Sequence, residues 1–228
     1  MLFKLTPISI AIFIAVFVNI FVAYSSWQRR KTKGGVYFAF AMMAITFWTL
    51  SAGLDYAALP IPLKVFFAKL EVLGYMTAAA LFAAFTLSYA GFDDWLKSIW
   101  GKILLIGIPA SNILLAWTNK LHGWVWSGFK MSETIDNVLI FEHGQAFTWV
   151  ALSGYVLILI IFASLMAATL KGTELARKQA RLLLFALLAL VASNLLYLFD
   201  IFNEPGVDWS SITFSITGVL FLFALYGS

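Results

Sequence analysis

The sequence predicts an all-α membrane protein: a seven-transmembrane helix bundle with its N-terminus outside and its C-terminus cytoplasmic. Three observations carry that prediction. Apolar residues make up 62% of the 228 residues and charged ones only 11%, with a mean hydropathy of +0.93, whereas a soluble domain is nearer half apolar and a quarter charged. The apolar residues gather into seven long runs, and a helix rising about 1.5 Å per residue crosses the hydrocarbon core in roughly 20 residues. Basic residues favour alternate connections. The 22 Phe and 9 Trp fit the same class, since aromatic side chains belt the two membrane interfaces.

The first run, Pro7–Trp27, is followed by Gln28-Arg29-Arg30-Lys31. It is too long for a signal peptide and lacks a small-x-small cleavage site. The second and third runs are Gly35–Ala57 and Leu63–Ala90. Pro60 and Pro62, in A-L-P-I-P, end one and open the other, proline costing little in a first turn. The fourth run, Ile103–Trp117, is short. The fifth is Phe147–Leu170 and the sixth Leu182–Phe202, extended inward by T-E-L-A-R-K-Q-A-R. N-E-P-G-V-D turns the chain into the seventh, Ser211–Tyr226. No internal repeat is evident, and residues 1–228 read as one domain.

Orientation follows from the cations. The first connection carries Arg29, Arg30, Lys31 and Lys33, the third Lys97 and Lys102, and the fifth Lys171, Arg177, Lys178 and Arg181. The other side holds Glu133, Asp136, Glu142, Glu204 and Asp208, so the basic side is cytoplasmic. The pI near 9.3 belongs to this asymmetry and not to nucleic-acid binding. The outer connection, 119–146, is longer than the others, and loops of that length tend to be functional or disordered. W-V-W-S-G-F-K and V-L-I-F-E, separated by S-E-T-I-D-N, predict a β-hairpin lying over the mouth of the bundle.

Within the third run, F-F-A-K-L-E-V-L-G-Y places Lys69 and Glu71 at membrane depth, where charge is costly and usually functional. Two positions apart, they are rotated by about 200° and cannot pair with each other. Asp55 lies near the outer end of the second run, Asn112 in the outer half of the fourth, and Asn194, Tyr197 and Asp200 at helical spacing in the sixth. The inner half of the third run is L-F-A-A-F-T-L, so the polar groups gather on the outer side. Three readings compete: an Asp55–Lys69 or Asp200–Lys69 ion pair with asparagines joining helices, a small-molecule site, or an ion relay. The small-molecule reading takes Asp55, Lys69, Glu71, Tyr75, Asn112, Asn194, Tyr197 and Asp200 as contacts, under a lid of Trp124, Trp126 and Phe129.

Much chemistry is excluded. With no cysteine there is no disulfide, thiolate metal site or cysteine nucleophile. A retinal Schiff base needs a lysine, and the last run has none. His122 and His143 lie in one loop, not on the facing helices that a membrane haem requires. H-E-x-x-H, G-x-G-x-x-G and the P-loop are absent, and Ser153-Gly154 lacks a general base. No cofactor is expected, and the chain does not read as an enzyme.

F-F-A-K-L-E-V-L-G, L-S-Y-A-G-F-D-D-W-L, L-A-W-T-N-K-L-H-G-W-V-W, F-E-H-G, R-K-Q-A-R-L-L-L and S-N-L-L-Y-L together resemble the seven-transmembrane N-terminal sensor region of bacterial histidine kinases, found also on diguanylate-cyclase-type proteins. The likeness runs over nearly the whole chain in the same order; Lys120 departs from it, where the pattern often has proline. The resemblance implies a signal-input module of the bacterial inner membrane, homodimeric, whose last helix leads into a cytoplasmic output domain. It names no ligand. Either the chain is a stand-alone sensor or its output domain lies beyond it; the closing Gly227-Ser228, with the look of a cloning remnant, favours the second. Ser164 and Ala168, or Ala79 and Ala83, offer small-xxx-small faces for a dimer or for packing within the chain. The competing functions are a small-solute transporter or channel subunit, which needs a polar route through the inner half, and a ligand-free structural membrane domain.

Overall fold

Thr6 accepts a hydrogen bond from the Ser9 backbone N–H while the Ser9 hydroxyl accepts one from the Thr6 N–H. This capping box, with Pro7 in the first turn, starts helix α1 (Pro7–Gln28). The computed structural model describes residues 1–198, 207 and 209–226; the side chains of 189, 190, 193–198, 211 and 226 fall outside that description. Helices α2 (Gly35–Ala57) and α3 (Ile61–Ala90) follow, then α4 (Asp93–Lys97), α5 (Ile99–Lys102), a π-helical turn (Ile103–Gly107), α6 (Ile108–Trp117) and α7 (Asn119–His122). Strands β1 (Trp126–Met131) and β2 (Leu139–His143) form an antiparallel hairpin, and α8 (Phe147–Lys171), α9 (Glu174–Leu198) and α10 (Ser210–Tyr226) complete the chain.

Most runs predicted from hydropathy are helices with nearly the predicted ends. The fourth differs: its helical course starts at Ile99. Pro109 lacks an N–H and its ring crowds the preceding turn, and the π turn at Ile103–Gly107 widens the helix just ahead of it. Among the described residues five helices are long and apolar enough to cross a membrane: α1, α2, α3, the Ile99–Trp117 span and α8. On α1, Ile10, Ile14, Phe17 and Phe21 are exposed at helical spacing while Ile12, Val16, Asn19 and Val22 are buried. The exposed stripe is what a lipid-facing side presents.

Neighbour contacts run α1–α2–α3–α8–α9–α10 and back to α1, a ring of six helices. The Ile99–Trp117 span packs outside that ring, against α3 and α8. Asn19 donates to Thr49 Oγ1 and Ser215 Oγ, both at 2.9 Å, tying α1 to α2 and α10. At the cationic end of the bundle the core is aromatic: Phe38 meets Phe82, Phe85 and Phe221 with ring centroids 5.2–6.1 Å apart. The small-residue faces that could have served a dimer are used within the chain, since Ser164, Ala168 and Ala83 are buried and Ala79 lines the internal cavity described below.

The closest helix contact is α2 on α3. A Cβ on Gly74 would lie 2.8 Å from Trp48 Cα and 3.0 Å from its N, so only glycine allows this approach. Gly74→Ala should separate the two helices and lower stability by about 1–3 kcal/mol, read from the thermal unfolding of detergent-purified protein.

Lys64 and Asn137 tie the stretch between the strands to the bundle. Lys64, in the second turn of α3 and fully buried, donates to the Asp55 carbonyl at 2.8 Å and to the Asn137 carbonyl at 2.7 Å. Asn137 returns two bonds, to the Tyr56 and Ala58 carbonyls, from a left-handed backbone at φ 60° that asparagine tolerates. Carbonyls at the end of α2, which have no partner within the helix, are thus satisfied by a lysine from α3 and an asparagine from the loop. Lys64→Met should take the ammonium from the Asn137 carbonyl and leave the Asp55 carbonyl with the Ala58 N–H at 3.2 Å, at a cost of about 1–3 kcal/mol. The measurement is SDS-induced or thermal unfolding, and protease cleavage between β1 and β2 should accelerate in parallel.

Candidate functional site

Residues Ala68, Val72, Tyr75, Ala79 and Phe82 recur every three or four positions along one face of α3, with Glu71 beside Val72. That face looks into a cavity of about 300 Å³. Trp48, Asp55 and Tyr56 close it on the α2 side, Val150 and Tyr155 on the α8 side, and Leu187 and Phe214 from α9 and α10. The hairpin supplies the roof through Trp126, Phe141 and His143. Phe82 and Phe221 line it and also belong to the aromatic core beyond.

The roof owes its shape to a β-bulge. The register pairs Trp126 with His143 and Gly128 with Glu142, leaving Ser127 as the extra residue. Residues three apart on a regular strand face opposite sides; the bulge brings Trp126 and Phe129 to the same face as Phe141. The three rings then pack at centroid distances of 5.3–6.4 Å. Asn119 pins the start of the strand, its Oδ1 accepting from the Val125 and Trp126 N–H groups and its Nδ2 donating to the Trp126 carbonyl.

Of the residues singled out from sequence, Asp55, Glu71, Tyr75 and Trp126 line the cavity. Asp55 is 7% exposed, and its Oδ1 accepts no hydrogen bond among the described residues. Glu71 and Tyr75 are half-buried, and Tyr75 packs edge-on against Trp48 at 5.7 Å. Lys69, Asn112 and Trp124 do not line it. Lys69 is turned away from Glu71 and donates to the Trp117 carbonyl at 3.2 Å, where a cation suits the C-terminus of α6; it pairs with neither Asp55 nor any other described carboxylate. Asn112 lies outside the ring because its helix does, and there it donates to Ser153 Oγ at 2.7 Å, a polar tie between α6 and α8. Trp124 is exposed and stacks on His122, and Phe129 sits behind Trp126 on the hairpin. The side chains of Asn194 and Tyr197 fall outside the described residues, as do Asp200 and the N-E-P-G-V-D turn apart from Val207.

The residues that sequence reasoning missed are Lys64, Trp48, Asn137 and His143. Trp48 could have been found, since it stands seven positions before Asp55, two turns along the same face. Lys64 stands seven positions before Glu71, about 10 Å away along the helix axis. Its partners are backbone carbonyls, which leave no trace in a search for opposite charges. Among the described residues no cluster of His, Asp and Glu is arranged to hold a metal.

His143 stacks on Phe147 with ring centroids 3.4 Å apart and planes 7° from parallel. Burial of the covered ring lowers its pKa from the ordinary 6.5. The folded chain therefore binds this proton less readily than the unfolded one. Its contribution to stability is present above about pH 6.5 and is lost as pH falls through the lower folded value. Thermal melts between pH 8 and pH 5 should show stability declining on the acid side. His143→Phe, which keeps a stacking ring, should remove that part of the slope.

A multi-pass membrane protein with an internal cavity roofed by a β-hairpin is the class these features define. The family model described as the N-terminal 7TM region of histidine kinase matches residues 11–228, and the chain belongs to that family. Such a region is the sensory input of its kinase and not the catalytic part. Comparison with curated proteins finds no match.

Proposed function

We propose that the chain is a transmembrane receptor module that binds a small molecule in the cavity and passes a conformational change to a cytoplasmic kinase or cyclase. The single observation that carries the reading is the cavity itself: an aromatic-walled chamber with two carboxylates on its wall, built from α2, α3, α8, α9 and α10. Ligand sites are typically apolar hollows with a few convergent polar groups. Residues 1–228 act as one domain with seven spans, α9 and α10 joining the five apolar helices, in the bacterial inner membrane as a homodimer. The positive-inside rule puts the hairpin outside and the end of α10 in the cytoplasm.

Transmission requires that the ligand favour one of two helix arrangements. The side-chain contacts supply a link of the right kind. Phe82 and Phe221 touch the ligand chamber and pack against each other with centroids 5.4 Å apart. One turn beyond Phe85, Tyr89 donates to Gln179 Oε1 at 2.8 Å, and Gln179 Nε2 donates to the Leu225 carbonyl at 3.2 Å. A shift at the chamber thus meets α9 and α10 at the end that leads to the output domain.

The chain contains no cysteine, so spin labels can be placed on introduced cysteines at Lys102 and Phe223 without background. A compound that raises the melting temperature should change the distance between the labels. Gln179→Leu should keep the stabilisation and reduce the change. A solute that binds and is carried across proteoliposomes would instead make the protein a transporter, and binding with an unaltered distance would remove signalling from the cavity.

A further inference from the structure

The chemistry of the cavity wall narrows the ligand class, given that the cavity is a receptor site. We infer that the cavity selects a small organic cation, an ammonium head carrying an aromatic or alkyl body, with Asp55 as its principal counter-charge. Three observations converge on this.

Asp55 comes from α2 and Glu71 from α3, and both face the same space, whereas no lysine or arginine is among the described lining residues. Among the described residues, the ammonium whose charge acts on Asp55 is that of Lys64. It is fully buried and directs hydrogen bonds to the Asp55 and Asn137 carbonyls, not to the Asp55 carboxylate. Asp55 is buried, 7% exposed, and Oδ1 is an acceptor with no donor among the described groups. A buried acceptor without a partner is costly, and a ligand ammonium is the donor that would relieve it.

The walls around the two carboxylates are aromatic. Trp48 meets Tyr75 and Phe214 at centroid distances of 5.7 and 5.0 Å, and Trp126 meets Phe141 at 5.3 Å across the roof. Aromatic faces carry negative potential and hold ammonium groups, the more so where water is excluded. Carboxylates and ring faces therefore favour the same charge, and both disfavour an anion. Toward Phe82 and Phe221 the wall loses its charge, which suits an apolar body and gives the ligand a direction, head to the hairpin and body inward.

The test uses three probes of similar shape on the purified full chain: benzyltrimethylammonium, N,N-dimethylbenzamide and phenylacetate. The expected result is saturable thermal stabilisation by the cation, little by the neutral amide and none by the acid. Asp55→Asn should weaken the cation about tenfold or more, as loss of a charge-assisted contact does. Glu71→Gln should weaken it less, and Lys69→Met should leave it unchanged. If Asp55→Asn fails to fold, the charge series on the wild type and on Glu71→Gln still decides. Equal or stronger binding of the amide or the acid overturns the inference, as does failure of the cation to bind. The label distance between Lys102 and Phe223 separates this from the receptor reading. A cation that binds without moving α10 supports the site chemistry and removes the receptor; a neutral probe that binds better and moves α10 does the reverse.

Discussion

A lysine ammonium with no access to solvent holds this structure in its working form. Lys64 takes carbonyls from two separate segments, the last turn of α2 and the stretch between β1 and β2. An ammonium taken out of water must satisfy its protons on protein acceptors, and carbonyls at a helix end are the natural supply. The exchange is mutual, because Asn137 donates back into the same turn through Tyr56 and Ala58. The chain before α1 joins in: Lys4 N donates to the Ala57 carbonyl, and the Lys4 side chain pairs with Asp136 at 2.7 Å. Four segments are thereby fixed at one end of the bundle. Without that knot the hairpin would have no fixed height above the helices, and the chamber would have no defined roof.

The remainder of the bundle follows the rule that apolar helices in lipid gain little from burying apolar surface against one another. What distinguishes one arrangement from another is close approach and polar contact. Gly74 gives the first, allowing α3 to reach the Trp48 backbone. Asn19 and Asn112 give the second, each joining helices that hydrophobicity alone would leave free to slide. These ties sit around the chamber and not in it. Among the described groups the Asp55 Oδ1 is left without a donor.

The helices and the hairpin were legible in the sequence because each rests on local information. Hydropathy and caps delimit α1, α2 and α3, and two aromatic strands around S-E-T-I-D-N announce β1 and β2. The membership of the site was legible only in part. Asp55, Glu71, Tyr75 and Trp126 follow from depth and residue type. Lys69 has the same depth and type, yet two residues of helical rotation send it to the Trp117 carbonyl. Asn112 fails for a different reason: no local pattern says that the fourth span packs outside the ring while the fifth closes it. Lys64 was hidden because its partners are main-chain atoms. The sequence thus yields how deep a residue lies, and only packing decides which way it faces.

On the receptor reading, one end of the bundle would respond and the other would report. At the hairpin end, donors and acceptors are matched one to one by the Lys64 and Asn137 bonds, so that end is stiff. At the far end the contacts are rings, Phe38, Phe82, Phe85 and Phe221, which can slide at small cost because dispersion has little direction. Between the two lies the chamber. On that reading, a body entering it would press against a fixed roof and a movable floor, and displacement would be directed toward the floor. The floor is Phe221, on the helix that ends beside Gln179. Rigidity under the hairpin is therefore a requirement of the receptor reading and not a rival to it, for a bundle that yielded equally at both ends would absorb the ligand without moving α10.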